Sequence, residues 1–421
     1  MTMAATTRKA RGSGSYLPGF EPLVSTFREE LASFSQFGTR TVVSDHDCGG
    51  FRLPVFENEF WTAKQRDGHS LHEVSYRACF KPQLPAFFIS RFTAPGEAVY
   101  DPFMGRGTTL VEASLLGRCP VGNDVNPLSK VLVEPRLAPP PLAAISRRLD
   151  EIPFDWTGET SADLLVFYHP KTLGEICALR AWFLQRRATG ELDELDRWLQ
   201  MVATNRLTGH SAGFFSVYTL PPNQATSVTA QRRINEKRGQ IPEYRDVRKL
   251  ILKKSRQLLK DPPPGKSPLA ASIHTESAAH TPDIASESVA LIVTSPPFLD
   301  VVQYKTDNWL RAWFCGIDLD KVDVWTLRKL SDWSDAMKGA FSEFLRVLRP
   351  SGMMAFEVGE VRSGSIRLEE EVVRIGQATG FVPECILINS QVFTKTSNCW
   401  GISNNERGTN SNRIVLLRKS S

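Results

Sequence analysis

No stretch of this 421-residue chain holds eighteen or so consecutive apolar residues, so no membrane-spanning helix is expected. The segment from Met1 to Tyr16 lacks the apolar core of a secretory signal; it is polar, Gly/Ser-rich and mildly basic, and reads as a disordered lead. The seven cysteines form no Cys-x-x-Cys pair, which removes the usual zinc spacing and suits a reducing cytoplasm. Asp45-His46-Asp47-Cys48 has metal-ligating residue types, but four adjacent residues do not converge on one ion, so a surface turn and no metal site are expected. A complete Walker motif and a Gly-x-Gly-x-x-Gly turn are both missing, which argues against those two ways of cradling phosphates. No internal repeat is visible.

The charge is unevenly spread. From Gln200 to Lys266 there are 13 Lys/Arg against 4 Asp/Glu, whereas the whole chain is only +5. The remainder is therefore mildly acidic. Such a concentrated positive segment is the footprint of a polyanion-binding surface, although a basic helix can also be a solvated face.

Two short segments carry chemistry. Val289-Ala-Leu-Ile-Val293 reads as a buried strand, and Thr294-Ser-Pro-Pro-Phe298 follows at once. The two prolines end the strand in a stiff turn at its carboxyl edge, where open α/β sheets bind ligands. That turn offers a hydroxyl (Ser295), a rigid carbonyl (Pro296) and an aromatic face (Phe298). Earlier, Glu97-Ala-Val-Tyr-Asp-Pro-Phe-Met-Gly-Arg-Gly-Thr-Thr109 reads as a strand, an acid at its tip, a glycine turn and a helix starting near Thr108. Gly105 and Gly107 are expected to let a ligand approach the backbone. Asp124 follows the next strand, at the distance where an acid suits a ribose diol. A nucleoside without a bound phosphate fits this pattern best.

Around these segments the chain divides into four parts: the lead (1–16), a first α/β part (17–144), a basic, mainly helical insertion (145–268), and a second α/β part (269–421). Helices are expected over 171–185, 191–204 and 244–260, and again over 304–315, 333–348 and 368–379. Strands are expected over 271–274, 289–294, 353–358, 381–388 and 413–417. The proline-rich run from Arg136 to Ala144 reads as an exit linker.

Taken together, Asp101–Thr109 resembles the AdoMet-binding motif of the exocyclic-amino DNA methyltransferases, and Thr294–Phe298 resembles their catalytic tetrapeptide in the form commonest among N4-cytosine enzymes. The resemblance covers roughly residues 72–134 and 270–418. It implies an α/β, Rossmann-like class I AdoMet methyltransferase sheet of seven strands, the last antiparallel, with the helical insertion as target-recognition region. It also implies S-adenosyl-L-methionine as cofactor, bound by Asp101, Phe103, Gly105, Gly107, Thr108 and Asp124. Lys81 and Pro82 would close over the methionine end, and Glu276 would meet the adenine amine.

On this reading Ser295, Pro296, Pro297 and Phe298 form the catalytic turn. Ser295 and the Pro296 carbonyl would accept the two amine protons of a flipped cytosine, and Phe298 would stack on its ring. Arg232, Arg233, Arg245, Lys249, Lys253, Arg256 and Lys395 are the expected DNA contacts, on DNA expected to be double-stranded. Tyr304, Lys305 and Asp307 would line the pocket or simply solvate a helix; Asn398 and Trp400 share a polar loop with Lys395. The stretch 205–224 would read bases or pack the insertion onto the catalytic part. Adenine N6 is the nearest alternative target, followed by an RNA base and by a silent DNA-binding subunit. C5-cytosine chemistry is disfavoured because no Pro-Cys pair is present. A restriction or defence partner is compatible with this reading.

Overall fold

The computed structural model describes residues 20–62, 68–77, 79–220, 225–265, 270–297, 299, 304–325, 327–359, 366–390 and 411–420. Nine described strands form one sheet: β1 (Val42–Asp47), β2 (Arg52–Asn58), β3 (Ala98–Asp101), β4 (Cys119–Asn123), β5 (Ser272–His274), β6 (Val289–Thr294), β7 (Leu348–Val358), β8 (Phe381–Ser390) and β9 (Ser411–Lys419). Their order is β1-β2-β8-β9-β7-β6-β3-β4-β5. The seven strands from β3 to β9 are those expected. β3 pairs in parallel with β4 and β6, β4 with β5 and β6 with β7, whereas β9 runs antiparallel between β7 and β8. The expected count of seven is corrected to nine by the β1–β2 hairpin, which adds to the edge through parallel β2–β8 pairing.

That hairpin also corrects the reading of Asp45–Cys48. Asp45, His46 and Asp47 lie in β1, and the turn falls after them, at Gly49 (φ 78°) and Gly50 (φ 93°), where Asp47 Oδ1 accepts the Gly50 N–H at 2.6 Å. His46 pairs with Glu370 at 2.7 Å. Among the described residues no group of three or more His, Cys, Asp or Glu is placed to hold a metal ion, and no helix is long and apolar enough to cross a membrane.

Period-two alternation sends neighbouring strand residues to opposite faces of the sheet. Val99, Leu291, Val293, Met353 and Ala355 pack under α1 (Phe20–Ser33), α2 (Gln83–Phe92) and α3 (Thr108–Leu115). Tyr100, Ile292, Met354 and Phe356 pack under α11 (Leu330–Val347) and α12 (Leu368–Thr379). Phe60, Trp61, Phe87 and Phe88 help fill the first of these layers, with Trp61 and Phe87 centroids 5.3 Å apart.

Between β4 and β5 the chain forms α4 (Pro127–Leu137), α5 (Leu142–Glu151), α6 (Pro170–Ala188), α7 (Glu194–Thr204), α8 (Val228–Arg238) and α9 (Val247–Leu258); α10 (Tyr304–Cys315) follows β6. Fully buried Asp196 joins three of these helices by accepting from Arg148 Nη1 (2.7 Å), Arg186 Nε (2.7 Å) and Trp182 Nε1 (3.0 Å). The expected linker over 136–144 is corrected. Helix α4 continues through Pro135 to Leu137, and Arg136 is fully buried, donating to the carbonyls of Leu132 (2.7 Å), Leu71 (3.1 Å) and Arg106. A buried cation is tolerated only with such partners, and here they hold the glycine turn against α4.

Candidate active site

The carboxyl ends of β3, β4, β5 and β6 open into a cavity of about 480 Å³. Parallel strands bring side chains distant in sequence to one edge, so Asp101, Asp124, Glu276 and Ser295 all line it. Hydrogen bonds join the loops to one another. Asp101 Oδ1 accepts from Thr294 Oγ1 (2.6 Å) and from Phe103 N (3.1 Å). Asp124 accepts the Gly105 N–H through Oδ2 and the Asn126 N–H through Oδ1, both at 2.9 Å. Buried Asn123 grips both backbone groups of Glu276, accepting its N–H at 2.9 Å and donating to its carbonyl at 3.0 Å. Sequence reasoning passed over Asn123; its sign is an amide at the end of a buried strand, where it has two backbone groups to satisfy.

Burial pushes the Asp101 carboxyl up to about 7, against the opposing pull of the Thr294 hydroxyl, and burial also raises Asp124. The charged residues lining the cavity are Asp101, Asp124, Glu276, Asp323 and Lys321, an acidic balance among the described residues. Such a lining favours a cationic ligand and opposes a phosphate.

One wall comes from the segment leading into α2. Tyr76, Cys79 and Phe80 line the cavity, and the Arg106 guanidinium ties this segment to the glycine turn through the carbonyls of Val74 (3.0 Å), His72 (3.4 Å) and Phe80 (3.4 Å). Lys81 and Pro82, expected to close over the methionine end, come just after this wall and are not in the cavity lining. Of the glycine-turn residues expected to bind the cofactor, Phe103, Gly105 and Thr108 line the cavity and Gly107 does not. Gly107 adopts φ 73°, and a Cβ there would meet Val133 Cγ2 at 2.5 Å. It is glycine because α3 and α4 pack closely, rather than to admit a ligand.

At the Thr294–Phe298 turn, Ser295, Pro296 and Pro297 line the cavity, while Phe298 lies outside the described residues. Fully buried Trp333 donates its indole N–H to the Pro297 carbonyl at 3.0 Å, holding the turn from below. Glu357, near the end of β7 and 6% exposed, accepts a hydrogen bond from Asn412 Nδ2 (2.9 Å); burial raises its carboxyl, against the opposing pull of the nearby Ser295 hydroxyl. Neither Trp333 nor Glu357 stands out in the sequence. The one signal for Glu357 is a lone acid near the end of the otherwise apolar run Met353–Val358.

The expected DNA contacts divide. Arg232 and Arg233 are exposed on α8, and Lys249, Lys253 and Arg256 are exposed on α9. Lys253 and Arg256 make no ion pair among the described residues, and Lys249 meets Asp246 at 3.3 Å. Arg245 has another job: its Nη1 holds the carbonyls of Ser211 (3.0 Å), Phe214 (2.8 Å) and Ser216. Lys395, Asn398 and Trp400 lie outside the described residues.

Of the two readings of 205–224, packing is the one seen, over 205–220. Asn205 Oδ1 accepts from Ser75 N at 3.0 Å, and buried Arg206 stacks 4.0 Å from the Phe214 ring. Asp307 is buried and bound to Arg77 at 2.8 Å, while Lys305 is exposed. The Tyr304 side chain is not described.

Residues 52–130 match the N6/N4 methyltransferase family described as DNA methylase. This span holds the Asp101–Thr109 motif and Asp124 but stops well before the Thr294–Phe298 turn. The chain is 38% identical over 69 residues to the type II methyltransferase M.MjaII of Methanocaldococcus jannaschii, covering 16% of this chain and 13% of that protein. It is 23% identical over 278 residues to the type II methyltransferase M.MvaI of Kocuria varians, covering 58% of this chain and 57% of that one. A third similar protein is the type II methyltransferase M.BsoBI of Geobacillus stearothermophilus, 30% identical over 84 residues, or 20% of this chain and 16% of that one. Each match therefore spans less than two thirds of the relative's own length.

Proposed function

We infer that this chain, whose residues 52–130 match the N6/N4 DNA methylases, moves a methyl group from S-adenosyl-L-methionine to the N4 amine of a cytosine flipped out of DNA. The observation that carries the reading is the joining of the two motifs at one cavity through the Thr294–Asp101 hydrogen bond, with Asp124 tied to Gly105 beside them.

The cavity suits the cofactor. Its volume is in the range for a small-molecule site, and its acidic lining matches a ligand with ammonium and sulfonium groups and no phosphate. In this reading Asp124 would hold the ribose hydroxyls, Glu276 the adenine amine, and Asp101 and Gly105 the methionine side. When bound, S-adenosyl-L-methionine supplies an electrophilic methyl group. The remaining work belongs to the chain.

The Ser295 hydroxyl lies near the Glu357 carboxyl, and with its O–H turned to that acid its lone pairs would accept an amine N–H of the base. Trp333 holds the Pro297 carbonyl and so steadies the turn, whose Pro296 carbonyl would accept the second N–H. Two acceptors on one amine localise its lone pair, and the amine is thereby positioned for direct displacement. Glu357, raised by burial and near the Ser295 hydroxyl, would be a destination for the proton the amine releases. The exposed cations of α8 and α9 supply phosphate contacts on double-stranded DNA.

Adenine N6 is the second reading, because it presents the same two protons to the same acceptors; the serine form of the tetrapeptide favours cytosine. Ser295→Ala is expected to lower turnover about 100-fold or more while S-adenosyl-L-methionine binding stays within about twofold. Turnover kept at the wild-type level would overturn the acceptor role.

A further inference from the structure

The connection between α10 and α11 crosses the same cavity. It begins beside Pro127, since Ile317 and Pro127 together line a smaller neighbouring cavity of about 290 Å³. It ends its crossing at Trp325, whose ring centroid lies 5.9 Å from that of Phe103 in an edge-on arrangement. Pro127 follows Asp124 by three residues and Phe103 follows Asp101 by two. The strap therefore spans from the loop after β4 to the loop after β3, and residues 321–325 line the cavity between them. Val322 is buried within this crossing, whereas Lys321 and Asp323 are exposed on it. The strap contains no Gly-rich turn, tetrapeptide or charge run, so no motif marks it as part of a site.

We propose that Trp325 is a cofactor-binding residue and that the 321–325 strap retains S-adenosyl-L-methionine by covering its nucleoside. The proposal rests on the methyltransferase reading above. A ribose held by Asp124 lies between the two loops that the strap bridges, and a large aromatic ring there removes the ribose and base from water. The indole also braces Phe103, so the ring on the cofactor motif and the ring on the strap form two walls of one enclosure. Cofactor uptake and release of the demethylated product then require the strap to lift, which makes retention a property of residue 325 rather than of the catalytic turn.

Calorimetric titration of the full-length protein with S-adenosyl-L-methionine, without DNA, tests this. Trp325→Ala is expected to weaken binding about tenfold or more, the scale of removing one aromatic ring from a base, and Trp325→Phe to restore most of it. Cofactor-free DNA affinity is expected to remain within about twofold of wild type, which separates a cofactor role from general unfolding. Stopped-flow displacement should show faster product release from the alanine variant. Unchanged cofactor affinity in Trp325→Ala would overturn the proposal, as would a loss that Trp325→Phe does not repair. If the wild-type protein binds no S-adenosyl-L-methionine, the methyltransferase reading itself fails, and this proposal with it.

Discussion

Raising the pH from 6 to 8 is expected to tighten S-adenosyl-L-methionine binding about tenfold, through Asp101. Burial pushes this carboxyl up to about 7, and it lines a cavity proposed to hold a cationic ligand. With that value, about a tenth of Asp101 is ionised at pH 6 and about nine tenths at pH 8. If the cation binds the carboxylate form, affinity follows the ionised fraction, and a factor of ten is about 1.4 kcal/mol.

The direction of the proton follows from the same shift. The ligand-free fold retains a proton that the cation displaces, so binding releases protons below pH 7. In the ligand-free protein this group alone makes stability fall as pH rises from its ordinary value near 3.8 through about 7, because the folded state holds the proton longer than the unfolded chain. Titration calorimetry in two buffers of different ionisation enthalpy counts the released protons. Asp101→Asn should bind more weakly at pH 8 and lose this component of the pH dependence. An Asp101→Asn profile parallel to wild type would refute the reasoning.

Gly107→Ala combines a left-handed backbone at φ 73° with a Cβ 2.5 Å from Val133 Cγ2. The two penalties together predict about 2–4 kcal/mol of destabilisation in a urea titration, and an unchanged midpoint would contradict the packing role. Reversing Lys249, Lys253 and Arg256 to Glu is expected to weaken DNA binding and flatten its dependence on log salt, by about 0.9 for each phosphate no longer neutralised. The same measurement on an Arg232→Glu/Arg233→Glu variant separates α8 from α9. Salt slopes equal to wild type in both variants would move the DNA surface to other residues.

The residues that could be read from sequence are those whose chemistry is local. Val289–Thr294 announces a buried strand by unbroken hydrophobicity, and two prolines mark its end. Asp101 and Asp124 stand at strand tips, so their arrival at one edge follows from parallel pairing. The β1–β2 hairpin was missed because Asp45, His46 and Asp47 resemble a polar turn. Their strand character comes from pairing with residues 52–54 across the Gly49–Gly50 turn, and β2 in turn pairs with β8. Pro135 concealed the continuity of α4, since buried Arg136 bonds to segments 30 and 65 residues away. Glu357, Trp333 and Trp325 act across tertiary contacts that no spacing encodes. Arg245 shows the converse: its residue type suited DNA, yet the nearby carbonyls of Ser211, Phe214 and Ser216 claim it.

The most direct test of the central claim is to incubate the purified protein with S-adenosyl-L-methionine and unmethylated genomic DNA, digest to nucleosides and identify the product by mass spectrometry. The account predicts N4-methylcytosine, lost in Ser295→Ala. N6-methyladenine would contradict the assignment of the base while preserving the site, and the absence of any methylated nucleoside from cofactor-bound protein would contradict the proposed DNA-methylating activity.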